Sequence, residues 1–267
     1  IESQIKPMFG RMAKPTTPAD ERRYDVPIHV QRVVKVATDP EATQSSVSIM
    51  RKRPQGDEGT VAAYRRNLVE QMVYQMLNER FDELSRKKDT QFLAAGAYET
   101  GLSPTVTTFV LSAGVEEGKI PAGLTALEIE TNRVQQHGFG PAELDRAKKW
   151  WMASYERAYN EREKSESSSY ADEYVRHFLH GEPVPGIEYE YTLAQTLIPA
   201  ITAAEVGAAA RSLFADTGVV VVATSPKKEG LAIPDEAQLQ AVIAKADAVA
   251  ATPWNDAGRA NALLEKL

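Results

Sequence analysis

Apolar and polar residues alternate in two segments near the start of the chain, which begin at Tyr24 and Ser45. The apolar positions are Val26, Ile28, Val30, Val34 and Val36 in the first segment and Val47 and Ile49 in the second. A period of two is typical of a strand that buries one face. The pattern therefore predicts two half-buried strands in this region.

A helical period follows these strands. After Asp57, a candidate N-cap, apolar residues recur with helical spacing from Val61 onward and form a broad face. Such a face predicts a long helix packed against a sheet rather than against one other helix. Two more strands are predicted at Phe92–Tyr98 and Thr105–Val115, with a turn at residues 101–104, which include glycine and proline.

Helical patterns fill most of the second half of the chain. They predict helices over residues 120–137, 141–158, 170–180, 189–197, 202–214 and 235–249. Gly138 and Gly181 are expected to end two of them, because glycine accepts the left-handed conformation. Thr202-Ala203-Ala204-Glu205 has the form of a capping box. Gly218–Ser225 is almost continuously apolar, which predicts a central strand covered on both faces.

The order of these elements favours an α+β fold. Strands and helices are segregated rather than alternating, so we expect an antiparallel or mixed sheet with helices packed on one face. Three segments are expected: a terminal helix of a preceding domain with its linker at 1–23, the α+β domain at 24–230, and a helical extension at 231–267. The chain opens on Ile1 without a signal-like segment, which suggests a piece of a longer protein.

Composition narrows the function classes. The chain has 31 lysines and arginines against 37 acidic residues, a net charge of −6, which disfavours a nucleic-acid surface. It has no cysteine, which excludes disulfides, thiol catalysis and zinc bound by cysteine. No apolar run approaches the roughly 20 residues of a membrane span. We expect neither a nucleic-acid partner nor a membrane span.

The histidines do not predict a metal site. There are four, His29, His137, His177 and His180. The last two are three residues apart on a predicted helix, but they lack the interleaved glutamate of helical zinc motifs. A pair of histidines at the end of a helix, where the helix dipole favours cations, is the preferred interpretation.

Other candidate groups also lack a catalytic pattern. The sequence contains neither a Gly-x-Ser-x-Gly elbow nor a glycine-rich phosphate loop. Glu182, Glu188 and Glu190 cluster in sequence and could do acid–base work, but a solvated acidic surface is the preferred interpretation. Of Trp150 and Trp151, one is expected to face the core; the other is either a docking aromatic or half-buried under a neighbouring helix. No catalytic, substrate-binding or metal-ligating residue is assigned.

An ordered set of segments resembles the pitrilysin/insulinase zinc proteases, the inverzincins. Glu128–Lys148 is similar to the family pattern E-x-x-R-x-x-x-x-G-x-[ST]-x-x-E-L-x-R-A-K. Leu77–Leu84 resembles a family helix that ends in Arg-[LF]-x-E-Leu, and Glu173–Tyr191 resembles the segment that follows. Ile5–Phe9 is similar to the close of a preceding domain, so the resemblance covers about residues 1–230.

The resemblance implies a second, non-catalytic unit. The family repeats an α+β unit, and the first unit carries the zinc-binding His-x-x-Glu-His motif, which this sequence lacks. The resemblance implies that the zinc ion and the peptide substrate are bound by the parent protein outside this chain. The expected partner is its catalytic domain, in the same polypeptide or a partner subunit. The family's substrate-holding arginine and tyrosine correspond to Ser85 and Phe92, so no substrate-binding role is transferred.

Two alternatives differ in class. The parent could be an inactive scaffold, like the family members that became structural subunits, or the chain could be an unrelated α+β binding module. The compartment stays open: the resemblance to bacterial relatives favours the periplasm, and the cytoplasm is the alternative. A His-x-x-Glu-His motif upstream in the parent would separate the protease from the scaffold.

The absence of the zinc motif generates a direct prediction. We expect the purified chain to hold no stoichiometric zinc and to cleave no peptide, because none of its residues supplies the required ligand set. Metal analysis of the purified chain, together with an assay on an unfolded peptide, checks this. One tightly bound zinc ion per chain would contradict it.

Overall fold

A five-stranded mixed sheet frames the fold in a computed structural model that describes residues 1–13, 16–17, 24–56 and 58–256. The strands are β1 (Val33–Asp39), β2 (Ser45–Pro54), β3 (Ala94–Ser103), β4 (Val106–Val115) and β5 (Val219–Pro226). Their order across the sheet is β1-β5-β2-β4-β3. β1 pairs with β5 in parallel, and the other neighbours are antiparallel.

Helices cover one face of this sheet. The α-helices of the described residues are α1 (Glu2–Phe9), α2 (Val61–Ser85), α3 (Ile120–His137), α4 (Pro141–Asn160), α5 (Ser167–His180), α6 (Ile187–Ala200), α7 (Ala203–Leu213) and α8 (Glu236–Asp247), of which α1 and α5 bury no residue. α2 and α3 contact the sheet, α8 packs on α3, and α6 packs on α4. The predicted α+β class with a mixed sheet is confirmed.

The sheet buries alternate side chains on its covered face. Val47 and Ile49 of β2 and Val221 of β5 are fully buried there. Val220 and Val222 are only half-buried on the opposite face. The prediction that β5 is covered on both faces is therefore wrong, because the helices occupy one side of the sheet.

Two predicted strand boundaries are also wrong. The first strand starts at Val33 rather than at Tyr24, because Val33 is the first residue to pair with β5. Pro27 has no backbone N–H to donate, and Val30 is 79% exposed. The predicted turn at 101–104 is mostly strand, since β3 pairs with β4 as far as Ser103.

α2 is the central helix of the covered face. Its N-cap is Thr60, whose Oγ1 accepts a hydrogen bond from the Ala63 N–H at 3.1 Å. Asp57, the predicted N-cap, lies outside the described residues. Asn78 of α2 donates to the Ala97 carbonyl at 3.0 Å and accepts from the Ala97 N–H at 2.7 Å, which ties the helix to β3.

α3 lies very close to the sheet. A Cβ at Gly123 would meet a side-chain carbon of Val115 at 2.4 Å, so only glycine permits this approach. The predicted end of α3 is confirmed at His137, followed by Gly138 with a φ of +65°.

α6 and α7 meet at a sharp corner. The angle between them is 99°, and the predicted capping box starts α7 there, with the Thr202 N–H donating to Glu205 at 2.8 Å. Among the described residues, only this bent pair has the combined length and apolarity of a membrane span, and no single helix does.

The N-terminus of α7 is also tied to α2. Arg65 pairs with Glu205 at 2.8 Å and donates to the Ala200 carbonyl at 3.0 Å. The hydrogen bond from Arg65, followed by those from Thr202, lowers the pKa of Glu205 to about 2. One carboxylate therefore caps α7 and links it to α2.

This pairing predicts a dependence of stability on pH. The folded-state pKa of Glu205 lies below the roughly 4.3 of an unfolded glutamate, so its stabilisation is complete above that pH and is lost as the pH falls toward 2. Glu205→Gln should cost about 0.5–1 kcal/mol at pH 7, because solvent screens this exposed pair. Thermal unfolding of both proteins from pH 7 to pH 2 checks this. A stability difference that persists unchanged at pH 2 would contradict it.

Candidate functional site

Arg80 of α2 is almost fully buried where α2, α3 and α4 meet. Its guanidinium donates to Glu143 of α4 at 2.7 and 2.8 Å and to Glu130 of α3 at 2.8 Å. A fourth hydrogen bond, at 2.9 Å, goes to the Gly138 carbonyl in the α3–α4 connection. Arg80, Glu130 and Glu143 form what we call the signature network, because all three belong to the segments that carry the family resemblance.

The charges in this network are mutually compensated. Burial alone would lower the pKa of Arg80, but the hydrogen bonds and negative charges of Glu143 and Glu130 outweigh that effect and raise it. Glu130 also pairs with Arg133 one turn later. Glu143 accepts from the Gly140 N–H at 2.7 Å, so it caps α4 as well. The family-like pattern is thus structural in this chain.

Residues 251–256, the C-terminal strap, cross the network. The Trp254 ring lies 5.2 Å from the Arg80 guanidinium carbon and 5.4 Å from that of Arg133. Arg146 holds Asp256 through two hydrogen bonds of 2.7 and 2.9 Å. The strap is therefore fixed by cation–π contacts and by an ion pair.

A second buried charge cluster lies between the sheet and α3. Arg51 of β2 is 2% exposed, and its guanidinium lies 5.3 Å from the centre of the Phe214 ring. Burial lowers its pKa to about 10, against the opposing charge of Glu128. Glu128 is fully buried and pairs with Arg32 at 3.1 Å; burial raises its pKa. Sequence reasoning missed this cluster, because charged residues such as Arg51 and Glu128 are usually exposed.

A concave surface of different chemistry lies beside α2. This cavity of about 510 Å³ is formed by α2, β3, α4, α6 and the loop after α5, and we call it the acidic–aromatic cleft. Its charged and aromatic lining residues are Glu58, Glu70, Glu99, Glu182 and Glu190 together with Tyr64, Tyr74, Trp151, Tyr155 and Tyr189.

Hydrogen bonds order the walls of the cleft. The Tyr64 hydroxyl donates to the Tyr155 hydroxyl at 2.8 Å, and burial followed by that bond raises the pKa of Tyr64. Arg53 bridges Glu70 and Glu99 at one end. Burial, with the neighbouring Glu173 and Glu182, raises the pKa of Glu190.

The structure separates the three glutamates that cluster in sequence. Glu182 and Glu190 line the cleft, whereas Glu188 is exposed and pairs with Arg162 at 3.3 Å. The expectation of a solvated acidic surface is therefore wrong for Glu190, which is half-buried. For the tryptophans, the expectation that one faces the core is confirmed by Trp151, and Trp150 is 54% exposed rather than half-buried under a neighbouring helix.

The histidines do not form a cluster. His177 and His180 are exposed at the end of α5, as predicted, and His177 Nδ1 lies 2.7 Å from the Glu182 carbonyl oxygen. His137 contacts the strap through the Ala251 carbonyl, and His29 precedes β1. Within the described residues, no group of three or more His, Cys, Asp or Glu side chains is placed to hold a metal ion. Zinc therefore does not fit the residues that the structure describes.

The two positions that correspond to substrate-holding residues are structural. Ser85 ends α2 and donates to the Asp82 carbonyl at 2.8 Å. Phe92 is 4% exposed and packs edge-on against Phe81.

The apolar face of α5 is open to solvent. α5 has no buried residue, and its exposed apolar side chains are Tyr170, Tyr174, Val175, Phe178 and Leu179. Its sequence pattern predicted a helix with an apolar face, and that helix is confirmed. The sequence could not indicate that the domain itself leaves this face uncovered.

In comparisons with known proteins, the similar proteins are described as proteases or peptidases. No protein-family model matches the chain. An Arabidopsis thaliana protein described as "zinc protease PQQL-like" is 33% identical over 223 residues, which are 84% of this chain and 20% of that protein. The chain thus spans only a fifth of this relative's length.

Solved structures share the fold at low sequence identity. The periplasmic protease PqqL of Escherichia coli matches with a TM-score of 0.82 and 16% identity, over 99% of this chain and 29% of that chain. A peptidase M16 inactive domain from Pseudomonas fluorescens matches with a TM-score of 0.58 and 14% identity, over 80% of this chain and 48% of that chain.

The signature network generates a prediction about stability. Arg80→Met should cost about 3–5 kcal/mol in the free energy of unfolding, because it leaves two buried carboxylates without their shared cation. Urea unfolding measures this cost. Arg86→Met is the control, since the Arg86 side chain is 73% exposed and pairs with the exposed Asp82 in the preceding turn, and it should change stability far less. Equal effects of the two substitutions would show that the network does not hold the helices together.

Proposed function

The chain belongs to the pitrilysin/insulinase family of peptidases, and we propose that within it the chain acts as a non-catalytic unit. In this role it packs against a catalytic unit of the parent protein and shapes a chamber in which peptides are degraded. The 33% identity to the Arabidopsis zinc protease PQQL-like protein supports a protease parent. The alternative of an unrelated binding module is set aside by this relationship.

The exposed apolar face of α5 is the observation that carries this proposal. Phe178 is 86% exposed, Leu179 60% and Tyr174 59%, all on a helix that buries none of its residues in this chain. Contiguous apolar surface of this kind marks a protein–protein contact. A second unit of the same parent is a suitable partner, because the chain spans only 20% of the Arabidopsis relative and 29% of the E. coli protease.

The fold and the side chains agree with a supporting role. The Pseudomonas fluorescens structure, described as an inactive domain, has the same fold, which supports the use of this architecture without catalysis. We place the catalytic zinc in the partner unit, since the described residues here do not fit one. When bound there, zinc would activate water and polarise the scissile carbonyl. This chain would supply walls and an interface.

We extend the proposal to the compartment. The E. coli PqqL is described as a periplasmic protease, which supports a periplasmic location for this chain. The absence of cysteine is compatible with an oxidising compartment. Fractionation of cells that express the parent protein tests this location.

The proposal predicts the effect of changing α5. Phe178→Glu should weaken association between this chain and the remainder of the parent, expressed as a separate polypeptide, by about tenfold or more, because it places a charge in an apolar contact. The Tm of the chain alone should be unchanged, since Phe178 lies outside the core.

Ser169→Glu is the matched control. Ser169 is exposed on the same helix, and helical spacing places it opposite Phe178. This variant should associate like the wild type. If both variants associate with wild-type affinity, the α5 face is not the interface and the proposed role fails.

A further inference from the structure

The acidic–aromatic cleft carries excess negative charge. Five glutamates line it, and the described residues of its lining include no lysine, arginine or histidine. Three of the five have a cation nearby, since Arg53 bridges Glu70 and Glu99, and Arg176 pairs with Glu182 at 2.6 Å. The remaining charge is available to a ligand.

Glu190 is the focus of that charge. It is half-buried on α6, and no described residue forms a hydrogen bond or ion pair with its carboxylate. Burial and the repulsion of Glu173 and Glu182 raise its pKa, so its negative charge is costly in the cleft. A cation at this position would remove that cost.

The walls suit an organic cation with an apolar stem. Tyr64, Tyr155, Trp151 and Tyr189 present aromatic rings to the same space as Glu190. Aromatic faces attract ammonium and guanidinium groups, and the methylene stems of lysine and arginine pack on apolar surface. The volume of about 510 Å³ lies within the range of small-ligand pockets.

The arrangement disfavours a metal ion as the occupant. The five lining carboxylates come from five separate parts of the fold, namely the segment before α2, α2 itself, β3, the loop after α5, and α6. Among the described residues, no three acidic or histidine side chains converge closely enough to ligate a metal. Dispersed carboxylates around aromatic walls fit a larger cation.

We propose that the acidic–aromatic cleft binds a lysine or arginine side chain of an extended peptide. The cation lies beside Glu190, its stem packs between the aromatic rings, and the Tyr155 hydroxyl, which accepts from Tyr64, keeps its own proton to donate to a peptide carbonyl. This inference rests on the proposed function, because it assumes that the peptides entering the parent's chamber are the ligands. It adds a preference for basic peptides.

The test is titration of the 267-residue chain with three capped pentapeptides that differ only at the central residue. Acetyl-Ala-Ala-X-Ala-Ala-amide is used with X as lysine, norleucine or glutamate, and calorimetry at low salt measures binding. The lysine peptide should bind at least about fivefold more tightly than the norleucine peptide, which has the stem without the charge. The glutamate peptide should not bind measurably.

Substitutions locate the site. Glu190→Gln should weaken binding of the lysine peptide by about fivefold or more, because it removes the unpaired carboxylate while keeping its shape. Glu188→Gln is the control, since Glu188 is two residues away on the same helix but does not line the cleft. It should bind the lysine peptide like the wild type.

Each outcome decides the inference. Equal binding of the lysine and norleucine peptides to the wild-type chain would overturn it without reference to any variant, and so would an unchanged affinity in Glu190→Gln. Neither result depends on the α5 face. The peptide titration therefore tests the proposed cleft, and the association assay on the α5 variants separately tests the proposed contact with the catalytic unit.

Discussion

The arrangement of the helices depends on satisfying one buried guanidinium. Arg80 lies where three helices meet, and water cannot serve as its hydrogen-bond partner there. Glu130, Glu143 and the Gly138 carbonyl must all be in place, because a buried charge without partners is strongly unfavourable. The spacing of the helices and the path of the α3–α4 connection are therefore set together. We interpret this ion-pair network as selecting one packing of the helices rather than as adding much net stability.

The exposed apolar face of α5 and the acidic–aromatic cleft are adjacent along the chain. The loop that follows α5 supplies Glu182, Pro183 and Pro185 to the acidic–aromatic cleft, so the cleft begins where the apolar helix ends. A partner unit seated on α5 would lie beside the opening of the cleft. The proposed contact and the proposed peptide site would then share a border, which places a bound peptide between the two units.

The periodicity of apolar residues predicted the existence of the strands and helices better than it predicted the residues at which they begin and end. The period of two and the helical period identified the main strands and helices, because burial of one face imposes them directly. The start of β1 was missed, since alternation at Val26–Val30 carries no information about which residues find a pairing partner. The extension of β3 to Ser103 was missed for the same reason: its pairing with β4 outweighs the local preference of glycine and proline for turns.

The buried charges and the cleft were beyond a single sequence. Charged residues such as Arg80 and Glu143 are usually exposed, and the family resemblance placed them in two separate segments without indicating that they meet. Of the cleft glutamates, only Glu182 and Glu190 belong to the group that is visible in the sequence, and their enclosure depends on α2 and α4, which are distant in sequence. Which of them is solvated and which is enclosed follows from tertiary packing alone.

The C-terminal strap has a mechanical consequence. Trp254 rests on Arg80, and Asp256 is held by Arg146, so the strap is attached at the junction that fixes α2, α3 and α4. The strap therefore ties residues 251–256 to the packing of the three helices, so a displacement of Trp254 or Asp256 would also disturb the contacts around the buried arginine.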